Sequence, residues 1–202
     1  MRKIILHLCA DIGSDSKPYQ DAGYDVICIG KDLGVENYRP PKNVYGIIAN
    51  PPCTEFSRAR SGGKARNVGA GMVLVKECQR IIEEAKPKFW VIENPATGAL
   101  RTVLGVPRYS YQPWWFGSPW TKKTSLWGNF NIPKRKYFEW EEVPKLNELY
   151  QRPGRGKPAL VSMCKSYQRF IREWDCFKVD DNASFRSLCS QKFAKAFFEV
   201  NK

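Results

Sequence analysis

A mostly parallel β-sheet with helices on both faces is the architecture this sequence predicts. Short apolar runs end in turn-rich loops, and between them apolar residues recur at helical spacing, so strands and helices alternate along one chain of 202 residues. The most reactive side chains stand where three of the strands end. In such sheets ligands bind beyond the carboxyl ends of the strands.

The first run, "KIILHLCA", reads as a buried strand leading into the loop "DIGSDSKP". Its basic start resembles a secretion leader, but His7 interrupts the apolar stretch and Asp11 follows at once. The reading is therefore a first strand in a cytoplasmic protein, with no membrane role. A helix from about Tyr19 to a cap at Gly23 leads to the second strand, "DVICIG". "VYGIIA" is the third strand and runs straight into "NPPCTEFSRAR". From Val68 to Ala85, apolar residues at Met72, Val75, Cys78, Ile82 and Ala85 mark a helix that Pro87 ends. "KFWVIEN" is a fourth strand, broken by Pro95, and "TSLWGNF" a later one. The chain closes on "SQKFAKAFFEVNK", an amphipathic helix capped by Ser190, with Phe193, Ala196, Phe197 and Val200 on one face.

The formal charge is +13, from 33 basic and 20 acidic residues. Such an excess points to a polyanionic partner, nucleic acid above all. Seven cysteines without a C-x-x-C pair, and one histidine, argue against a zinc site and for free thiols. No metal site is expected. His7, inside a strand pattern, reads as structural.

Two strand ends carry the chemistry. Pro51 and Pro52 stiffen the loop that holds Cys53. A stiff mount suits a nucleophile, whose attacking atom must be held close to its target. The thiolate is the reactive form and a free thiol has a pKa of about 8.5, which Arg58 and Arg60 nearby would lower. Glu93 ends an apolar strand, followed by Asn94 and Pro95. Desolvation there raises a carboxyl pKa, and moving it from about 4.3 to near 7 takes roughly 3–4 kcal/mol. Together they fit one problem. Carbon 5 of cytosine becomes nucleophilic once a thiolate adds at carbon 6 and a proton reaches ring nitrogen 3. In a duplex the base must first be flipped out of the stack.

At these residues the chain resembles the compact, phage-type DNA cytosine-5 methyltransferases, and four patches match in order. "ANPPCTEFS" is similar to the nucleophile loop, with Cys53 as the attacking thiol and Pro52, Ser57 and Arg58 toward the substrate. "ENP" is similar to the glutamate motif of Glu93 and Asn94. "PWTKKTSLW" resembles the basic motif that supports the flipped base and its phosphate, pointing to Lys122, Lys123 and Thr124. "RSLCSQKFAKAFFEVN" resembles the closing motif, whose helix packs beside the cofactor.

The resemblance implies a Rossmann-like methyltransferase fold, a single domain over 1–202, S-adenosylmethionine as cofactor, and DNA as partner, duplex with a flipped cytosine or single-stranded. A monomer is expected. The cofactor would meet Cys9, Ala10, Asp11, Gly13, Ser14, Asp32, Glu36, Asn50 and Pro51. Two positions depart from the family. Asp11 stands where a glycine is common, and Gly30 where an acid usually holds the ribose, so either Asp32 reaches back or that contact is lost. Only about 52 residues, 132–183, fill the place of a target-recognition domain, and a short or loose target follows. Arg135, Lys136, Arg152, Arg155 and Lys157 are phosphate candidates, and Trp114 and Trp115 candidates for base stacking, although most of the seven tryptophans read as core. Three other readings stay open: RNA as substrate, an adenine amino-methyltransferase, and a non-catalytic nucleic-acid-binding relative.

Overall fold

The computed structural model describes residues 2–56, 67–149 and 156–202. Six strands form one sheet in the order β2-β1-β3-β4-β6-β5. In chain order they are β1 (Ile4–Leu8), β2 (Asp25–Ile29), β3 (Val44–Ala49), β4 (Phe89–Pro95), β5 (Tyr109–Tyr111) and β6 (Thr124–Asn129). The first four run parallel; β6 and β5 are added antiparallel at one edge. The helices are α1 (Lys17–Asp21), α2 (Val68–Ala85), α3 (Leu100–Leu104), α4 (Asn182–Ser187) and α5 (Gln191–Asn201).

Alternation along the strands sorts the side chains into two cores. Leu6, Leu8, Ile47, Ala49 and Ile92 face α2, where Val75, Cys78, Ile81 and Ile82 cover them. Ile5, Ile48, Phe89 and Val91 face the other way, onto Phe193, Ala194 and Phe197 of α5 and Tyr19 of α1. The sheet is thus the middle of three layers. Ser190 caps α5 as its sequence predicts, its hydroxyl accepting the Phe193 N–H at 3.2 Å. No helix among the described residues is long and apolar enough to cross a membrane.

Two expectations change. Pro95 does not break β4, because it pairs with Thr124 at the end of an antiparallel ladder, where its missing N–H is tolerated. The three-residue strand β5 has too short a pattern to read. The weakly patterned stretch after β6 is largely a series of 3-10 turns folded over a third core of Trp120, Leu160, Met163, Ile171, Trp174, Phe177 and Phe185.

Gly128, opposite Val91, has φ +148°, and a Cβ there would collide with the carbonyl of Trp90. Gly128→Ala is expected to lower unfolding stability by about 3 kcal/mol, through strain at the β4–β6 ladder. Urea unfolding checks it; an unchanged midpoint would contradict this close approach.

Candidate active site

β1, β3 and β4 lie side by side with His7 opposite Ile48, and Ile48 opposite Val91. Period-two alternation then sends His7, Asn50 and Glu93 to the α5 side of the sheet, at the carboxyl ends. This is also where strand order reverses, since β2 and β3 flank β1 on opposite sides.

The three side chains form a connected array. His7 Nε2 stands 2.7 Å from Asn50 Oδ1, and His7 Nδ1 2.8 Å from Ser16 Oγ. The Asn50 amide donates onward to Glu93 Oε2 at 3.3 Å and to Asp15 Oδ1 at 3.4 Å. Burial pushes the Glu93 carboxyl up to about 7; Asp15 adds to the rise, while Lys122, Asn50 and Thr124 oppose it. This is the value a half-buried strand end should produce. Burial also drives the His7 imidazole toward its neutral form, against the pull of Asp15 and Asn50.

Cys53 sits half-buried beyond Pro51 and Pro52. Its loop is tied down at two points. The Asn94 amide donates to Pro51 O at 2.9 Å, and a turn from Cys53 to Phe56 is anchored by the fully buried Phe56 ring. Asn94 is itself buried, so its place is under the loop, joining the strand of Glu93 to the mount of Cys53. Burial pushes the Cys53 thiol up, the Glu93 charge pushes it further, and Lys122 pulls it back. The reading that Arg58 and Arg60 lower this thiol falls on residues outside the described ones; among the described residues the cation acting on it is Lys122, and burial outweighs it. Ser57 lies outside the described residues as well.

Lys122 is the counter-charge shared by Cys53 and Glu93. Its ammonium is held by the carbonyls of Ser187 and Leu188 at the end of α4, at 3.1 and 3.2 Å. Thr124 is fully buried and its hydroxyl faces the Glu93 carboxyl. Lys123 contributes its backbone carbonyl to Ala96 N, 2.9 Å away. Pro52 is exposed at the loop's crest.

The loop after β1 forms the floor. Cys9 (φ 56°) and Gly13 (φ 74°) turn the chain, and buried Ala10 donates to Ile29 O at 3.1 Å. Buried Ser14 accepts the Cys189 N–H at 3.0 Å, and its carbonyl accepts from Gln191 at 2.9 Å, so the C-terminal helix does return to this loop. The two departures from the family pattern compensate each other. Asp11 Oδ1 accepts the Lys31 N–H at 2.8 Å and lies over Gly30, where any Cβ would collide with it. A carboxylate thus stands at the end of β2 after all, supplied from β1. Asp32 and Glu36 are exposed nearby.

Comparisons with known proteins point to one family. Residues 26–97, which contain both Cys53 and Glu93, match the family model of the C-5 cytosine-specific DNA methylases. Over that span the chain is similar to those enzymes. A relative in frog virus 3 (isolate Goorha), described as a probable DNA (cytosine-5)-methyltransferase, is 27% identical over 113 residues, 46% of this chain and 51% of that one. Among solved structures, a prophage-encoded E. coli protein described as a "putative DNA modification methyltransferase" superposes with a TM-score of 0.50 at 16% identity. That match covers 76% of this chain and 56% of the other. The chain thus spans about half the length of the relatives it matches, and the structural likeness shows a shared Rossmann-like fold.

Sequence reasoning missed Asp15 and treated His7 as structural. Only tertiary structure brings both to Asn50, although a buried-strand histidine followed by two short acidic and hydroxyl side chains was a signal. The tryptophans follow the reading of most of them as core. Trp114 is core, packed with Trp140 and Val143. The Arg135 guanidinium stacks on Trp115 at 4.4 Å, and the Lys157 ammonium on Trp114 at 4.5 Å. Both cations sit on aromatic faces, while Arg152 and Arg155 lie outside the described residues.

Proposed function

We propose that this chain methylates carbon 5 of cytosine in DNA through a covalent bond between Cys53 and carbon 6 of the base. The observation that supports it most is that the loop of Cys53 and the strand end of Glu93 leave neighbouring strands and are tied by the Asn94 amide, 2.9 Å from Pro51 O, with Lys122 acting on both groups. A thiol and a carboxylic acid in reach of one ring are what the addition requires. The Cys53 thiolate bonds to carbon 6 while Glu93 gives its proton to nitrogen 3, so the ring electrons collect at carbon 5 without a full negative charge building up. Once carbon 5 has taken its methyl group, loss of the carbon 5 proton to water, expulsion of the thiolate and return of the nitrogen 3 proton to the Glu93 carboxylate restore the aromatic base. Lys122 balances the charge of the thiolate and of the spent carboxylate.

The residues beyond β1 and β2 fit S-adenosylmethionine. The Asp11 carboxylate over Gly30 is an acceptor for ribose hydroxyls, and Glu36 and Asp32 add acidic partners for the rest of the cofactor. Cys9, Ala10, Gly13 and Ser14, which form the turn after β1, would hold it together with Asn50 and Pro51. When bound, that cofactor supplies the electrophilic methyl group that carbon 5 takes. Residues 132–183 serve as a reduced target-recognition segment, with affinity drawn mostly from phosphates.

DNA carrying 5-fluorocytosine tests the reading, because fluorine at carbon 5 blocks release of the enzyme. With S-adenosylmethionine present, a covalent protein–DNA adduct mapping to Cys53 is expected. DNA binding and cofactor binding without any adduct would overturn it.

A further inference from the structure

The Asn50 side chain serves two carboxyl groups with one amide. Its two N–H bonds go to Glu93 Oε2 (3.3 Å) and Asp15 Oδ1 (3.4 Å), and its Oδ1 is occupied by His7 Nε2 at 2.7 Å. An amide can point that way only if His7 Nε2 carries a proton. A neutral imidazole then leaves Nδ1 as an acceptor for the Ser16 hydroxyl at 2.8 Å, the nearer of the two acceptors of that one proton, the other being Gly13 O at 3.1 Å. His7 is 1% exposed and Ser16 1%, so no water competes for these bonds. Asp15 receives a second donor, the Ser14 hydroxyl at 3.2 Å. Glu93 is left as the carboxyl with an acidic neighbour across the amide.

We infer that Asp15 is a positioning residue for the reaction. By sharing the Asn50 amide it keeps the proton on Glu93 until a base arrives, and His7 locks the amide in the orientation that makes the sharing possible. The role given to that proton rests on the enzymatic reading above. Other charged or titratable groups around Glu93 are Lys122 ahead of β6, Cys53 beyond β3, Tyr111 on β5 and Cys189 ahead of α5. Of these Lys122 opposes protonation, and Asp15 is the acidic group that promotes it.

The test reads the carboxyl directly. In protein labelled with carbon-13 at glutamate side-chain carboxyls, the Glu93 signal is assigned by its loss in Glu93→Gln and titrated without DNA or cofactor. Asp15→Asn keeps the acceptor but removes the charge, and should lower the Glu93 midpoint by about one pH unit, a roughly tenfold weaker hold on the proton. His7→Leu frees the amide to turn its oxygen toward Glu93 and should move the midpoint upward. His7→Gln, whose amide N–H can replace Nε2, should restore it. A midpoint unmoved by Asp15→Asn overturns the inference. A midpoint that follows Asp15 in a chain that forms no adduct with 5-fluorocytosine DNA supports the proton-holding array and sinks the enzymatic reading alone.

Discussion

Cys53→Ala is expected to reduce methyl transfer to cytosine by on the order of 10⁴-fold while leaving DNA affinity within a few-fold of the parent chain. The reason lies in what the thiol does. Carbon 5 of an unmodified cytosine has almost no tendency to attack an electrophile, and no other group described in the cleft can add to carbon 6. The lysine is a cation, and the acid is already committed to nitrogen 3. Binding is different, because a chain of net charge +13 draws affinity from phosphates that Cys53 does not touch. The loss should therefore fall on kcat and not on KM, and the adduct with 5-fluorocytosine should vanish with it. Single-turnover methyl incorporation and a gel shift at fixed salt measure the two halves. An alanine variant within tenfold of the parent would show that the sulfur is not the nucleophile.

The parts legible in the sequence were those set by local rules. β3, α2 and the cap of α5 fall where alternation, helical period and a serine placed them, and Pro51-Pro52-Cys53 announces a stiff loop by backbone chemistry alone. Glu93 was legible too, because a carboxylate at the end of an apolar strand is poorly solvated wherever the chain folds. The hidden parts depend on contacts between distant segments. Asp15 is 78 residues from Glu93 in sequence, and only parallel pairing of β1, β3 and β4 brings them to one amide. The exchange between Asp11 and Gly30 was hidden for the same reason. Each looks like a defect until the β1 and β2 ends are seen in contact. Lys122 was expected to serve the flipped base and its phosphate; its place beside Cys53 and Glu93 was hidden, because its ammonium is pinned by carbonyls some 65 residues later.

Glu93→Gln should lower activity by about 10²–10⁴-fold, the usual contribution of a positioned general acid, and it should also change the shape of the pH profile. The competent form of the pair holds one proton, on the acid and not on the sulfur. At low pH both groups are protonated and the thiol cannot attack; at high pH both have lost their protons and nitrogen 3 receives none. The parent chain should therefore give a bell whose limbs belong to the coupled pair. With glutamine the fall at alkaline pH disappears and the residual rate climbs to a plateau as Cys53 ionises. Stability should move in the opposite direction from activity. The folded carboxyl, at about 7, binds its proton more tightly than an ordinary one at 4.5, so the folded state is progressively penalised as pH rises between those values. Glutamine, neutral throughout, escapes that penalty. Glu93→Gln should thus match the parent near pH 4 and exceed it above pH 8 by up to about 3 kcal/mol in urea unfolding. A variant equally stable at both pH values would mean that Glu93 is ionised in the folded chain, and proton delivery to the base would need another donor.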